Sequence, residues 1–190
     1  MLAGLVVFAW GFVWHTWVPL GSSQIKTLRA EGPVLGTLQS LITEPGFYIF
    51  PGMEPGAKRT AEQQQEDAAR YLDNYATGPH GILVYTPANG PLNFPRLLVN
   101  ELLSNFAGGL IAAVLLAMAL PGLPRFVTRV MFVGLLGLFA SLAIDVSYWN
   151  WYGFPGGFTL AALADQAIGW TLAGLVLAGL LKPGPVPARV

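Results

Sequence analysis

The stretch "AIDVSYWNWYGFPGGFTLAALADQAIGW", residues 143–170, carries two carboxylates, Asp145 and Asp165, inside two strongly apolar segments. An aromatic, glycine-rich turn separates the segments, which is typical of two membrane helices joined by a short connection. A charged residue at the centre of a membrane helix costs at least about 2.5–3.5 kcal/mol on insertion scales. The two aspartates therefore need either a function or a polar partner within the protein.

The composition of the chain is that of a membrane protein. Of its 190 residues, 54% are hydrophobic and 11% are charged, whereas a soluble domain has about 25% charged residues. Ten Lys and Arg balance ten Asp and Glu, so the charge indicates no nucleic-acid partner. The chain has no cysteine and two histidines, and it lacks a P-loop, a Rossmann glycine pattern and an HExxH motif. We therefore expect no metal site and no cofactor.

Four apolar segments are long enough to cross a bilayer, which takes about 20 mostly apolar residues. They are residues 1–20, 97–120, 126–146 and 158–181. Residues 1–20 lack a basic start and a small-x-small cleavage site, so we interpret them as a retained helix that also acts as the targeting signal. The sequence therefore predicts an all-α membrane protein with four transmembrane helices, helix 1 in residues 1–20 and helices 2–4 in residues 97–182.

The distribution of Lys and Arg near the membrane predicts the orientation. The turn 148–157 carries no Lys or Arg, whereas the opposite side of the membrane holds four, Arg125, Arg129, Lys182 and Arg189. Residues 21–96 carry six Lys and Arg, but a loop this long has little influence on orientation. We therefore expect a multi-pass protein of the bacterial inner membrane, with both termini in the cytoplasm and residues 21–96 in the periplasm.

Residues 21–96 form a small α/β extracytoplasmic insertion between helices 1 and 2. Residues 31–42 have a helical apolar pattern, and "TAEQ" at residues 60–63 is typical of the start of a second helix. "EPGFYIFPG" and "HGILVYTP" are typical of two strands, which we expect to pair in an antiparallel sheet. The proline-rich tail, residues 183–190, is predicted to be disordered.

Several polar residues fall in the outer half of the membrane if this orientation holds. His15 lies near the outer end of helix 1, and Glu101 and Asn105 lie near the outer start of helix 2. Asp145 ends helix 3, and Asp165 lies roughly 10 Å inside helix 4 at 1.5 Å per residue. Polar residues at one level of a membrane indicate a binding site. The structural alternatives are surface carboxylates, a capped helix start, and interhelical hydrogen bonds.

The tryptophans also concentrate near the outer surface. Trp149 and Trp151 lie in the outer turn, and we include them with His15, Glu101 and Asn105 as candidate binding residues. The structural alternative is an interfacial anchor, since Trp and Tyr are enriched where a membrane meets water. An anchor is also the interpretation of a further set on one face of helix 1, Trp10, Trp14 and Trp17.

Two resemblances to known proteins follow from these motifs. The stretches "WGFVWH", "PGFYIFPG", "NWYGF" and "ADQAIGW" resemble those of a group of bacterial four-helix membrane proteins, which implies the topology and no activity. "IDV" and "ALADQAI" resemble the two catalytic-aspartate motifs of lipoprotein signal peptidase, a four-helix protein with an outer insertion after its first helix. That resemblance implies that Asp145 and Asp165 are a catalytic pair. The "N-x-x-D-R" and "N-x-G" motifs of the peptidase have no counterpart in this chain.

Three functions remain open at this point. The first is a non-enzymatic accessory or subunit protein that binds a membrane partner or a lipid at the outer leaflet. Its partners would be the lipid bilayer and other membrane subunits or further copies of the chain. Small residues of the fourth helix, such as Gly169 and Gly174, would allow close helix packing within the chain or between subunits. The second is an intramembrane aspartyl hydrolase that uses Asp145 and Asp165. The third is a transporter or proton relay that uses His15, Glu101 and Asp165.

Overall fold

The computed structural model describes residues 1–53 and 59–183. Apart from Pro183, the tail predicted at residues 183–190 lies outside the described residues. The helices are α1 (Leu2–Trp17), α2 (Pro19–Ser22), α3 (Glu31–Leu41), α4 (Ala61–Thr77), α5 (Phe94–Ala119), α6 (Phe126–Tyr152) and α7 (Gly156–Leu180). The strands are β1 (Gly46–Phe50) and β2 (Gly81–Tyr85). The chain divides into two compact units, Met1–Lys26 with Leu92–Val190, and Thr27–Pro91.

Three helices of the first unit are long and apolar enough to cross a membrane. They are α5 with the 3₁₀ turn that follows it (Phe94–Gly122), α6 and α7. This is the helix content of a multi-pass membrane protein. α1 is apolar but has only 16 residues, which is about 24 Å of helix and less than the ~30 Å of a hydrocarbon core.

The segment predicted as one helix at residues 1–20 is interrupted near its end. Val18 is extended, with φ −98° and ψ 111°, and Pro19 begins the short α2. A residue before proline is driven out of the helical region because the proline ring collides with its backbone. α1 therefore ends at Trp17, and the prediction of a continuous helix to Leu20 was wrong.

The turn predicted at residues 148–157 is shorter in the structure. α6 continues to Tyr152, and Gly153 ends it with a left-handed φ of 71°. Glycine adopts this conformation without the steric cost that a Cβ brings, so it is the first residue of the stretch suited to close the helix. Trp149 and Trp151 therefore belong to the last turns of α6, and only residues 153–155 connect it to α7.

The helices of the first unit approach each other closely at glycines. A Cβ at Gly109 would lie 2.7 Å from the backbone nitrogen of Gly4, where α1 crosses α5. A Cβ at Gly174 would lie 2.8 Å from the carbonyl oxygen of Val130, where α6 packs on α7. Small residues allow such contact between membrane helices. The small residues of α7 are thus used in packing within the chain, and Ala173 and Ala178 are fully buried.

A buried arginine joins three segments at the other end of these helices. Arg129 is 6% exposed, and its guanidinium donates to the carbonyl oxygens of Leu123, Pro124 and Ala178. The unpaired carbonyl groups near a helix C-terminus carry partial negative charge. Carbonyls near the ends of α5 and α7 therefore hold a cation that has no carboxylate partner among the described residues.

The second unit contains α3, α4 and a two-stranded sheet. β1 pairs antiparallel with β2, from Gly46 opposite Tyr85 to Phe50 opposite Gly81. Thr60 and Gln63 form both hydrogen bonds of a capping box at the start of α4. The two strands, their antiparallel pairing and the N-cap of α4 are therefore confirmed.

Candidate functional site

A cavity of about 450 Å³ lies between α1, α5 and α7, within the first unit. We call it the α1–α5–α7 cavity. Its volume is in the range of about 300–1,000 Å³ that is usual for small-molecule sites. The polar residues that line it are His15, Thr16, Glu101, Asn105, Asp165 and Gln166. The aromatic and aliphatic residues that line it are Val7, Phe8, Trp10, Phe12, Phe94, Leu97, Leu98 and Trp170.

Helical spacing brings these side chains to one place. Residues three or four positions apart lie on the same face of a helix. On α5 the spacing selects Leu97, Glu101 and Asn105, and on α7 it selects Asp165 and Gly169. Because α1 runs antiparallel to α5 and α7, the C-terminal half of α1 meets the N-terminal halves of the other two helices.

Asp165 is held by a tryptophan from α1. The indole Nε1 of Trp10 donates to the Oδ1 atom of Asp165 at 2.8 Å and to its backbone oxygen at 3.2 Å. A Cβ at Gly169 would lie 2.8 Å from Cδ1 of the Trp10 ring. The ring therefore needs a glycine one helical turn beyond Asp165, and this close contact brings the indole N–H to the carboxylate.

Glu101 is oriented by a neighbour on its own helix. The side-chain amide nitrogen of Asn105 donates to Oε1 of Glu101 at 3.0 Å, a contact between positions four apart. On α7 the indole Nε1 of Trp170 donates to Oε1 of Gln166 at 3.0 Å. Each of these two polar groups is thus directed by a donor within its own helix and still faces the cavity.

The charges that line the cavity are mainly negative. Glu101 and Asp165 supply two carboxylates, and His15 supplies the one titratable base. No Lys or Arg is among the lining residues. Within residues 1–53 and 59–183, no group of three or more His, Asp or Glu side chains could hold a metal ion.

The two aspartates of the opening stretch make different hydrogen bonds, and only Asp165 lines the cavity. Asp145 lies on α6, where it accepts a hydrogen bond from the hydroxyl of Ser141, one turn earlier. α6 contributes no lining residue to the α1–α5–α7 cavity. Trp149 and Trp151 lie near the end of the same helix and are 51% and 78% exposed. Of the predicted site residues, His15, Glu101, Asn105 and Asp165 come together, whereas Asp145, Trp149 and Trp151 do not join them.

Sequence reasoning missed the role of Trp10, which we had interpreted as an interfacial anchor. A buried indole N–H usually finds an acceptor, and a carboxylate in an apolar helix needs a donor. Trp10 and Asp165 are the kinds of residue that satisfy each other in this way. Gln166, directly after Asp165, was also missed, although an amide in an apolar helix carries the same signal.

A second, smaller cavity of about 240 Å³ lies in the other unit. Its charged residues are Arg59, Asp67 and Arg70, and Asp67 pairs with both arginines at 2.5 Å. These ion pairs connect the start of α4 to its middle, so we interpret this cavity as part of the structure of the unit.

Comparison of the chain with protein-family models, with curated proteins and with solved structures found no match.

Proposed function

We propose that the chain is an accessory or subunit protein of the bacterial inner membrane, with both termini in the cytoplasm. In this proposal α1 is a fourth transmembrane helix, and residues 21–96 are an extracytoplasmic α/β insertion. A bilayer accommodates a short helix such as α1 by local thinning or through its flanking residues. The protein binds a lipid in the α1–α5–α7 cavity, at the level of the outer leaflet.

The observation that carries this proposal is the mixed lining of the cavity. Aromatic and aliphatic side chains share its wall with His15, Glu101, Asn105 and Asp165. A ligand that satisfies both kinds of surface has an apolar part and a polar head, since buried polar groups need hydrogen-bonding partners. Membrane lipids have this construction, and they surround the helices that form the cavity.

A cavity-filling substitution tests the proposal. Gly11 lines the cavity, and a Cβ at this position would meet nothing within 4 Å, so Gly11→Leu fills the space without a backbone collision. Gly179→Leu is the matched control, because Gly179 lies on α7, also has nothing within 4 Å and does not line the cavity. Both changes gain similar helix propensity.

The measurement is native mass spectrometry of the full chain, purified from membranes in a mild detergent. We expect lipid adducts on the wild-type protein and on Gly179→Leu, and their loss from Gly11→Leu. Retention of the same adducts by a folded Gly11→Leu protein would refute binding in this cavity. Absence of any adduct from the wild-type protein would refute the proposed function.

An intramembrane aspartyl hydrolase is the second proposal, supported by the local resemblance of "IDV" and "ALADQAI" to lipoprotein signal peptidase. Two catalytic carboxylates that share a water need to lie within hydrogen-bonding reach of it. Asp165 instead accepts a hydrogen bond from Trp10 on α1, whereas Asp145 accepts one from Ser141 on its own helix, α6. We therefore rank lipid binding above hydrolysis.

A further inference from the structure

We propose that the lipid bound in the α1–α5–α7 cavity carries an ammonium head, as an aminophospholipid of the phosphatidylethanolamine type does. This inference rests on the proposed function and adds the chemical class of the head. It is carried by the charges of the cavity, by the hydrogen-bonding atoms left open in it, and by the aromatic rings beside them.

The charge of the lining selects for a cation. Glu101 and Asp165 are the two carboxylates, and no Lys or Arg of the lining neutralises them. A head of net negative charge would meet repulsion from both carboxylates, whereas an ammonium group is attracted to them. A single metal ion is a poor fit, because no described group of three or more His, Asp or Glu side chains is placed to hold one.

Two of the hydrogen-bonding atoms that remain open in the lining are carboxylate oxygens. The Oε1 atom of Glu101 receives the amide of Asn105, and the Oδ1 atom of Asp165 receives the indole of Trp10. Each carboxylate has a second oxygen, and a carboxylate offers about four acceptor positions in all. A primary ammonium group has three N–H donors and no acceptor, so it complements these atoms.

Aromatic rings add a second attraction for the same group. Trp10, Phe12 and Phe94 are among the residues that line the cavity. The face of an aromatic ring attracts an ammonium ion through its quadrupole, and the attraction grows when water is excluded. The phosphate that follows the ethanolamine carbons can accept a hydrogen bond from the imidazole of His15.

The test compares two lipids with the same acyl chains. Phosphatidylethanolamine and phosphatidylglycerol are added to the full-length protein in detergent, and binding is read by native mass spectrometry. We expect phosphatidylethanolamine to bind about tenfold more tightly, the scale of one charge-assisted hydrogen bond. Free ethanolamine serves as a third probe, because it carries the head without the chains. Binding of ethanolamine as tight as that of the lipid would overturn the assignment to a lipid.

Two isosteric variants test whether Glu101 and Asp165 cause the preference for phosphatidylethanolamine over phosphatidylglycerol. Glu101→Gln and Asp165→Asn each remove a charge and keep an oxygen acceptor, and we expect each to lower the preference for phosphatidylethanolamine about fivefold or more. Glu66→Gln, on the exposed surface of α4, is the control and should keep the wild-type preference. If Asp165→Asn does not fold, Glu101→Gln decides, since Glu101 is exposed and not part of the core.

The outcomes separate this inference from the proposed function. Equal binding of the two lipids by the wild-type protein would overturn the ammonium assignment and leave lipid binding intact. An unchanged preference in folded Glu101→Gln and Asp165→Asn would overturn it as well. Absence of lipid from the wild-type protein would instead remove the proposed function itself.

Discussion

The indole N–H of Trp10 donates to two oxygens of Asp165, the side-chain Oδ1 at 2.8 Å and the backbone oxygen at 3.2 Å. The bond joins α1 to α7, and Trp10 and Asp165 both line the α1–α5–α7 cavity. The carboxylate is thereby kept at a fixed position on the wall, and one of its oxygens remains for a ligand. Asp165, a charged residue in an apolar segment of the sequence, is therefore a hydrogen-bond acceptor held in place by Trp10.

Replacing Trp10 by Phe tests how much this hydrogen bond contributes to the stability of the fold. Phe keeps most of the ring and removes the donor, so we expect a loss of about 1–2 kcal/mol in the free energy of unfolding. The measurement is thermal unfolding in detergent. Trp17→Phe is the control, because Trp17 is 71% exposed, and its unfolding temperature should match that of the wild type. Equal stability of Trp10→Phe and the wild type would mean that the bond contributes nothing to folding.

Asparagine at positions 145 and 165 distinguishes lipid binding from hydrolysis. Asp165→Asn keeps an acceptor for Trp10, so we expect it to fold and to lose lipid preference, whereas Asp145→Asn should keep that preference because α6 does not line the cavity. A catalytic pair would instead give the same defect in both variants, with a double variant no worse than either. A complementation or lipid-binding assay of the three proteins would decide between these patterns.

The glycine crossings should be intolerant of any side chain. Gly109→Ala would bring a Cβ to 2.7 Å from the nitrogen of Gly4, and Gly174→Ala would bring one to 2.8 Å from the oxygen of Val130. We expect each to destabilise the fold by about 1–3 kcal/mol, because backbone atoms have to move apart. Gly179→Ala meets nothing within 4 Å and should be neutral or stabilising by up to about 1 kcal/mol. Thermal unfolding ranks the three variants, and a neutral Gly109→Ala would contradict the close approach of α1 to α5.

The arginine at the other end of the helices is expected to be irreplaceable. Arg129→Lys keeps the charge, but one ammonium group cannot match the planar fork that reaches the carbonyls of Leu123, Pro124 and Ala178. Arg129→Leu removes the charge and leaves those carbonyls without a donor, so we expect a loss on the order of 3 kcal/mol in unfolding free energy. Arg125→Gln is the control on the same helix start, since Arg125 is exposed. Stability of Arg129→Leu equal to that of Arg125→Gln would show that the buried cation has no structural role.

The absence of cysteine allows a direct test of topology. In Ala76→Cys, on α4, and Lys182→Cys, after α7, the introduced thiol is the one cysteine of the chain. A maleimide that does not cross membranes should label Ala76→Cys in cells whose outer membrane is permeabilised, and Lys182→Cys only after full lysis. Labelling in the reverse order would invert the proposed orientation, and labelling of both before lysis would mean that α5, α6 and α7 do not all cross the membrane.

The local features of the fold are readable from the sequence. Thr60 and Gln63 stand three positions apart and bond to each other's backbone, so no distant residue takes part in the capping box. The strands β1 and β2 are flanked by glycine and proline, which end regular structure wherever they stand. The apolar length of α5, α6 and α7 likewise depends only on consecutive residues.

The site required information that no short window contains. Trp10 and Asp165 are 155 positions apart, and the pairing depends on which helices become neighbours. The same limit explains Asp145, whose nearness to Asp165 in the sequence suggested a shared site. α6 and α7 pack side by side, yet Asp145 bonds to Ser141 on its own helix while Asp165 faces α1. Hydropathy ranks both residues alike because it does not record the direction in which a side chain leaves its helix.

The long separation between Trp10 and Asp165 also sets an order of events during biosynthesis. At about 5–20 residues per second, a ribosome needs roughly 8–30 s to make the 155 residues between them. During that interval α1 has no α7 beside it, so the indole of Trp10 lacks its acceptor and the cavity wall is incomplete. If the cavity binds a lipid as proposed, the chain acquires that lipid only after α7 has been made, and a bound lipid would identify the molecules whose translation has passed that helix.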